Sequence, residues 1–249
     1  MQDERIININ NLFTEVGSII KKYDAIAHER SENMNMSEIM KELARKREVF
    51  HMEADFQFSL AWQIKENFKD SVDIRMEYPI EAVVDETELK FFQRGRGRPR
   101  IDILVQTKGK KIPIELKYLP KTTKVGEGII SSTDECFHLR NSTGVSWGRF
   151  GFLGDVSRVE RIVTLCEDID EGYAIILTND KAYEKDPQVG KTCEGLGLTG
   201  TIGGKFYERI NNKSDKETSG RLEIKKTYHA VWENYGEYNL GFRYLLIKV

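Results

Sequence analysis

Apolar positions recur at helical spacing through the first part of the chain, and they predict two helical regions. In the first thirty residues they predict one amphipathic helix, which we assign to an N-terminal helical extension over residues 1–36. A polar break follows, and the helical pattern resumes at Ser37, a residue type that is common at helix N-caps. It continues to about Lys69 with at most one interruption. In its second half an i, i+4 stripe predicts a buried face, formed by Met52, Phe56, Leu60, Ile64 and Phe68.

From Asp73 onward the pattern changes to short apolar segments, which predict β-strands. Three of these segments follow one another at 74–83, 100–106 and 111–118. The strongly apolar segment Tyr173–Thr178 predicts a central strand that is covered on both faces. Two more strand-like segments close the chain, at 222–232 and 241–249.

One further helix is predicted between the third and fourth of these strands. Asp155 is its predicted N-cap, and the helix covers about residues 156–167. The order αβββαβ over residues 48–180 predicts an α/β fold in which helices flank a mixed central sheet. We assign this core to a domain over 37–249, with a C-terminal β extension at about 181–249.

Two of the predicted strands place ionisable side chains on one face of the sheet. Because side chains alternate along a strand, Asp102 shares its face with Leu104, and Glu115 shares its face with Lys117. A tight turn at Gly109 is expected to join the two strands, since glycine accepts a positive φ. Three ionisable side chains are therefore expected to converge on one small patch.

The pairing of these two strands follows from the length of the turn. With Gly109 and Lys110 as a two-residue loop, Lys108 pairs with Lys111. Asp102 then lies opposite Lys117. A slip of one residue would send Asp102 to the other face of the sheet, so the expectation depends on the turn.

Two carboxylates that are buried side by side need a neutralising charge, because desolvating them is costly. A hard divalent cation supplies it, and carboxylate oxygens suit Mg²⁺ or Mn²⁺. The alternative is an ordinary salt bridge of Lys117 with Asp102 or Glu115 at a strand edge. The strands alone leave both interpretations open.

The spacing of these residues resembles the PD-(D/E)XK nuclease superfamily, which has the restriction-endonuclease-like fold. Asp102 is followed by twelve residues and then by Glu115-Leu116-Lys117 on the adjacent strand. The predicted αβββαβ order is also the core of that family, and Glu53 matches a glutamate that many members carry on the first helix. Ile101 departs from the pattern, since it stands where the family has proline.

The resemblance implies a magnesium-dependent DNA endonuclease and a role for each residue of the motif. Asp102 and Glu115 would bind Mg²⁺, with Mn²⁺ as a substitute and the carbonyl of Leu116 as a further ligand. Glu53 would assist directly or through a metal-bound water. Lys117 would orient or help to deprotonate the attacking water. A restriction or defence role and a homodimer, which double-strand cleavage usually requires, are also implied.

Positive charge is concentrated beside this motif, although the formal net charge of the 249-residue chain is only −2. Between Arg94 and Lys124 there are ten basic residues and only two acidic ones. A phosphate-binding surface needs positive charge only where the polymer lies. The residues expected to contact nucleic acid are Arg96, Arg98, Arg100, Gln57 and Lys121. A solvated basic face is the alternative.

The segment Arg96-Gly-Arg-Pro99 within this region also resembles the core of an AT-hook, which enters the minor groove of A·T-rich DNA. True hooks lie in disordered tails, whereas this segment runs directly into the Asp102 strand. A phosphate-contacting loop beside the site is therefore the preferred interpretation, ahead of an independent hook or plain solvent exposure.

Composition bounds the class of protein. Hydrophobic residues make up 39% and charged residues 31%, which is typical of globular proteins. No segment is long and apolar enough for a membrane span, and three widely spaced cysteines, Cys136, Cys166 and Cys193, favour reduced thiols in the cytoplasm. The alternatives to a DNA endonuclease are an RNA-directed or structure-specific nuclease of the same fold, a non-catalytic nucleic-acid-binding module, and an interaction protein with acidic partners.

Overall fold

A computed structural model describes residues 14–19, 22, 34–82, 98–123, 127–140, 144–188, 194–207, 221–236 and 240–249. Within these ranges the protein is a mixed α/β structure with a six-stranded central sheet. This confirms the predicted fold class at that level. Residues 14–19 are helical, as the N-terminal pattern predicts, and most of the remaining N-terminal extension lies outside the described residues.

Two helices correspond to the second helical region of the sequence: α1 (Met36–Lys46) and α2 (Glu53–Phe68). The predicted cap at Ser37 is wrong, because the side chain of Asn35 accepts the hydrogen bond from the backbone N–H of Glu38. The predicted stripe is buried from Phe56 onward, whereas Met52 is exposed because it precedes the first turn of α2.

The strands of the central sheet are β1 (Asp73–Pro79), β2 (Arg100–Gln106), β3 (Lys111–Tyr118), β6 (Tyr173–Thr178), β9 (Trp232–Asn234) and β10 (Arg243–Lys248). Their order across the sheet is β1-β2-β3-β6-β10-β9. β3 and β6 are parallel and the other neighbours are antiparallel, so the sheet is mixed. The segment predicted as a C-terminal β extension thus supplies two strands of the same sheet.

Two separate two-stranded sheets lie outside this sheet. They are β4 (Ile129–Ile130) with β5 (Cys136–Phe137), and β7 (Gly200–Tyr207) with β8 (Arg221–Ala230). β8 packs against a long helix, α3 (Val145–Leu165). In the described part of the chain, no helix has the length and apolar character that crossing a membrane requires.

The predicted register between β2 and β3 is wrong by two residues. Gln106 pairs with Lys111, and Thr107–Lys110 form a four-residue connection that is closed by the backbone N–H of Thr107 bonding to the carbonyl of Lys110 (2.9 Å). Gly109 adopts the expected positive φ of 99°. Because side chains alternate with a period of two, a slip of two residues leaves Asp102 on its predicted face.

Helix α3 begins eleven residues earlier than predicted, at Val145, and Asp155 lies in its middle instead of at its N-cap. Gly144 is the N-cap residue. The segment before Asp155 is rich in glycine, which weakens helix propensity. At Gly148, however, a Cβ atom would collide with the hydroxyl of Tyr183 and with Leu119, so close packing both requires the glycine and stabilises the helix around it.

The sheet separates two apolar layers. Alternate residues of β2 and β3, such as Ile103 and Ile114, pack against α1 and α2. Their neighbours face α3, where Leu104 contacts a cluster that includes Ile162. Glu115 and Lys117 belong to the face that α3 covers, as their ion pairs with this helix show, and Asp102 lies within the field of Asp155 on the same helix.

Candidate active site

The carboxylates of Asp102 and Glu115 are held between the central sheet and α3. Asp102 Oδ2 accepts a hydrogen bond from the backbone N–H of Leu116 on the neighbouring strand, at 2.7 Å. Glu115 lies deeper, with only 1% of its surface exposed. Its Oε1 atom accepts no hydrogen bond within the described residues. Among the described residues the site therefore contains a buried carboxylate oxygen without a hydrogen bond, although the guanidinium of Arg158 lies 3.4 Å from it.

Burial dominates the protonation of both acids. It raises the pKa of Asp102 to about 6, although the charge of Lys117 and the hydrogen bond from Leu116 act in the opposite direction. The pKa of Glu115 is raised well above its ordinary value, again because of burial first, and the guanidinium of Arg158 opposes the shift. Charge repulsion from neighbouring acids adds to both shifts, since Asp155 and Glu53 raise the pKa of Asp102, and Asp102 and Asp155 raise the pKa of Glu115. A cation beside the two acids would therefore make them more easily charged.

Lys117 supplies a positive charge to the same space. Its ammonium lies 3.0 Å from Asp155 Oδ2 and donates a hydrogen bond to the carbonyl of Leu116, also at 3.0 Å. Burial by itself lowers the pKa of Lys117, but the surrounding carboxylates, with Asp155 the strongest, raise it above the ordinary value. Lys117 is therefore protonated at neutral pH in this structure.

Helix α3 contributes two residues that the sequence analysis missed, Asp155 and Arg158. Asp155 is buried, and its Oδ1 atom lies 2.5 Å from an Arg158 nitrogen while its Oδ2 atom faces Lys117. Arg158 also lies 3.4 Å from Glu115 Oε1 and donates a hydrogen bond to the carbonyl of Arg100 at 3.3 Å. The available signal was an i, i+3 acid–base pair on an otherwise apolar helix face.

Helix α2 approaches the cluster from the other side of the sheet. Glu53 begins this helix, and its Oε2 atom accepts a hydrogen bond from the backbone N–H of Tyr118 at 2.8 Å. The buried amide of Gln57 donates to the carbonyl of Asp102 at 2.6 Å and to Glu77 Oε1 at 3.1 Å. Both predicted residues of α2 thus lie at the end of the strands that carry the motif.

Glu77 is a further acid that the sequence analysis did not single out. It lies on β1 where the register brings it opposite Asp102, and its φ is +49°. A non-glycine residue at positive φ is strained, and such strain is concentrated at functional sites. The hydrogen bond from Gln57 stabilises Glu77 in this position.

The residues fit a divalent cation in chemistry and in charge. Glu53, Asp102, Glu115 and Asp155 carry four negative charges when ionised, against two positive charges on Lys117 and Arg158. The unbonded Glu115 Oε1 is the type of hard donor that Mg²⁺ prefers. Among the described residues no three acidic, histidine or cysteine side chains are already gathered at coordinating positions. Side chains would therefore have to adjust to complete the coordination.

The predicted nucleic-acid contacts differ in their accessibility. Arg98 is exposed and lies 3.7 Å from Glu81, and the side chains of Arg100 and Lys121 are also exposed. Gln57 is buried, with both amide hydrogens donated within the protein. Arg96 lies outside the described residues. Three of the five residues could therefore contact a polymer without rearrangement.

Fold and site together define a mixed α/β protein with a buried cluster of carboxylates and cations between its sheet and a long helix. Comparison of the chain with protein-family models, curated proteins and solved structures gives no match. The function must therefore be inferred from the chemistry of the cluster.

Proposed function

We propose that this chain is a metal-dependent nuclease that hydrolyses phosphodiester bonds of DNA, with the restriction-endonuclease-like core of the PD-(D/E)XK superfamily. The proposal is carried by the convergence of Asp102, Glu115 and Lys117 on one covered face, where Glu115 Oε1 is buried without a hydrogen bond. Leaving such an acceptor unsatisfied costs about 1–3 kcal/mol or more for a charged group. A bound cation would offset that cost.

The order of elements supports the same proposal. Helix α2 is followed by β1, β2 and β3, then by α3 and β6, apart from short 3-10 turns and the small hairpin of β4 and β5. This is the order that the resemblance implies for the core. It places Glu53, the motif strands and the covering helix around one site.

The oxygen atoms available for Mg²⁺ come from Asp102 and Glu115, with the carbonyl of Leu116 and the carboxylate of Glu53 as further donors. Mn²⁺ has the same preference for oxygen ligands and would substitute. When bound, the ion supplies the charge that activates water and stabilises the negative charge that develops on the phosphate. The protein contributes the position of these donors and a site that α3 shields from solvent.

Lys117 acts in this proposal as a protonated donor. Because its pKa is raised, the ammonium would hydrogen-bond to the attacking water or to a phosphate oxygen and would not remove a proton. Asp155 and the carbonyl of Leu116 hold the ammonium in place. In hydrolysis a bond forms between the water oxygen and phosphorus, the bond to the leaving oxygen breaks, and a proton passes from the water to that leaving oxygen.

A second candidate is a non-catalytic nucleic-acid-binding module. The observation in its favour is that Lys117 and Arg158 already lie beside carboxylates of the cluster, as cations that replace a metal would. The two candidates differ in whether the protein binds Mg²⁺ or Mn²⁺ at this site. Direct metal titration separates them.

A homodimer also belongs to the proposal, because cutting both strands of a duplex usually takes two active sites. The N-terminal helical segment is the candidate contact, since Val16 and Ile19 are about half exposed, at 45% and 53%. Light scattering of the full chain and of a chain that lacks residues 1–33 measures this contact. An unchanged oligomeric state would contradict it.

The central experiment incubates the protein with plasmid, linear duplex, single-stranded DNA and RNA in Mg²⁺, Mn²⁺ or EDTA. Asp102→Asn and Lys117→Met are compared with matched controls in exposed residues, Asp170→Asn and Lys41→Met. We expect metal-dependent cutting of DNA that both site variants abolish and both controls retain.

Three other outcomes are informative. Cutting that survives both site substitutions would refute the site. Cutting of RNA alone would change the substrate class and keep the mechanism. Nucleic-acid binding with neither metal binding nor cutting would establish the non-catalytic module.

A further inference from the structure

The hairpin of β7 and β8 contains an irregularity in its pairing. Ile202 pairs with Tyr228, but Gly204 pairs with Ile224, so the single residue Gly203 stands opposite three residues of β8. These three residues are Lys225, Lys226 and Thr227, and all of them are exposed. A regular strand would turn the middle one towards the protein, because side chains alternate between the two faces.

A buried glutamate on α3 stabilises this bulge. Glu160 is only 4% exposed, and its two carboxylate oxygens accept the backbone N–H groups of Lys225 and Lys226, each at 2.7 Å. The hydroxyl of Tyr228 donates a third hydrogen bond at 3.0 Å. The backbone N–H groups that lose their ladder partners at the bulge are therefore satisfied by one side chain.

The opposite strand is also adapted to the bulge. A Cβ atom at Gly203 would lie 2.8 Å from the carbonyl oxygen of Lys226, which is too close for any other residue. Gly204 has a φ of 98°, which favours glycine. Two glycines and one buried glutamate thus specify the bulge. As a result, the side chains of the adjacent Lys225 and Lys226 both point into solvent. Bulges commonly re-aim side chains next to active sites.

The charge of this pair is not neutralised by an ion pair with any residue that the structure describes. In the parts of the chain that the structure describes, neither Lys225 nor Lys226 lies within ion-pair distance of a carboxylate. Lys205, on the paired strand, is exposed as well and lies opposite Glu223 in the register. We name the surface formed by Lys205, Lys225 and Lys226 the lysine platform.

The lysine platform lies level with the candidate active site along α3. Asp155 and Arg158 face the site from one flank of this helix, and Ser157 and Glu160 bond to β8 from the other flank. Helix α3 thus lies between the two sets of residues, and a helix is about 10–12 Å wide with its side chains. One turn of B-DNA is about 34 Å long, so a duplex bound over this helix is long enough to reach both flanks.

We propose that the lysine platform binds the phosphate backbone of the nucleic acid beside the bond that is cut. The inference deepens the proposed function and rests on it for the identity of the polymer. Phosphate contacts of this kind give affinity and orientation without base specificity. The platform therefore fits a duplex of any sequence.

The test measures binding of a fluorescent 20-base-pair duplex to Glu115→Gln protein, which keeps the platform and should not cut. Lys225→Gln/Lys226→Gln is compared in this background with Lys41→Gln/Lys46→Gln, two exposed lysines on α1 that are paired with acids. We expect the platform variant to reduce the slope of log affinity against log salt by about 2, since each phosphate contact contributes about 0.9. The control should keep the slope of the parent.

Cleavage by otherwise native protein separates the two proposals. With Lys225→Gln/Lys226→Gln alone, we expect KM to rise about tenfold while kcat is unchanged. If native protein cuts DNA but the lysine substitutions leave the salt slope of binding unchanged, the platform is overturned and the nuclease proposal stands. A reduced slope in a protein that never cuts would support the platform as a polyanion site and overturn the nuclease.

Discussion

Two buried glutamates in the same molecule have opposite environments. Glu160 receives three hydrogen bonds, two from backbone N–H groups and one from Tyr228, so that each of its oxygens is paired. Glu115 is buried to a similar degree, but its Oε1 atom accepts none, and Arg158 lies 3.4 Å from it. Burial alone therefore does not distinguish a structural acid from a candidate ligand.

The difference lies in what surrounds each carboxylate. Glu160 faces a bulge whose N–H groups need an acceptor, so its charge stabilises the fold. Glu115 is buried beside Asp102 and Asp155, and Arg158 only partly opposes the effect of burial, so its charge is a cost of the fold. A buried polar group without a hydrogen bond is rare in native proteins, and a bound ion or a catalytic role is a common explanation for one.

The largest expected effect comes from removing the charge of Glu115. Glu115→Gln should reduce the rate of metal-dependent DNA cutting by about 10³-fold, equivalent to about 4 kcal/mol, because a principal metal donor is lost. Glu167→Gln, at an exposed position outside the site and the platform, is the control. Single-turnover cleavage measures the effect, and a loss below tenfold would show that Glu115 is as structural as Glu160.

The same substitution at Glu160 tests the structural role of that glutamate. Glu160→Gln should lower the free energy of unfolding by about 3 kcal/mol, because an amide NH₂ would face the N–H groups of Lys225 and Lys226. In metal-free buffer, Glu115→Gln should leave this free energy unchanged or raise it. Urea unfolding measures both. Equal destabilisation by the two variants would remove the distinction between the two acids.

Asp102, which lies beside Glu115, should make the free energy of unfolding depend on pH. The pKa of Asp102 is raised from 3.8 to about 6, so the folded protein binds this proton more tightly than the unfolded chain does. Its contribution to stability is complete below about pH 3.8 and is lost as pH rises through about 6. Relative to Asp102→Asn, native protein in EDTA should therefore lose about 2–3 kcal/mol between pH 4 and 7.

Urea unfolding of both proteins at each pH measures this difference. The variant removes the titrating group and keeps the shape of the side chain, so effects common to both proteins cancel. Curves that run parallel over the whole range would show that Asp102 is not held in a charged, desolvated cluster.

The smallest expected effect comes from removing the charge of Arg158. Arg158→Met should tighten Mn²⁺ binding about tenfold, or about 1.4 kcal/mol, because Arg158 lies beside Glu115 Oε1 and repels a second cation. Calorimetric titration measures the affinity, with Arg98→Met as an exposed control. Weaker Mn²⁺ binding would show that Arg158 positions the carboxylates more than it competes with the metal.

Much of the fold follows from local patterns. β2, β3 and β6 coincide with the predicted segments, because short apolar runs with branched residues have few alternatives. The start of α3 was misplaced because glycines such as Gly148 look like helix breakers until the packing against Tyr183 is known. The cap of α1 was misplaced by two residues, since Asn35 and Ser37 are both favourable caps.

The candidate site was predicted in part. Asp102, Glu115 and Lys117 were placed on one face by side-chain alternation, which survived an error of two residues in register. Asp155 and Arg158 were missed, because a helix far along the chain can be laid over the sheet only by tertiary packing. The bulge of β8 was missed as well, since its partners Gly203 and Glu160 lie on other elements.

The sequence by itself determined the periodicities: which segments are strands, and which ionisable residues share a strand face. These depend on neighbours two to four positions away, and local sterics enforce them. The tertiary structure alone decided which charges meet, because ion pairs such as Lys117 with Asp155 join residues that are remote in the chain. It also decided which buried acid is satisfied, since desolvation and hydrogen bonding act only once the layers have packed.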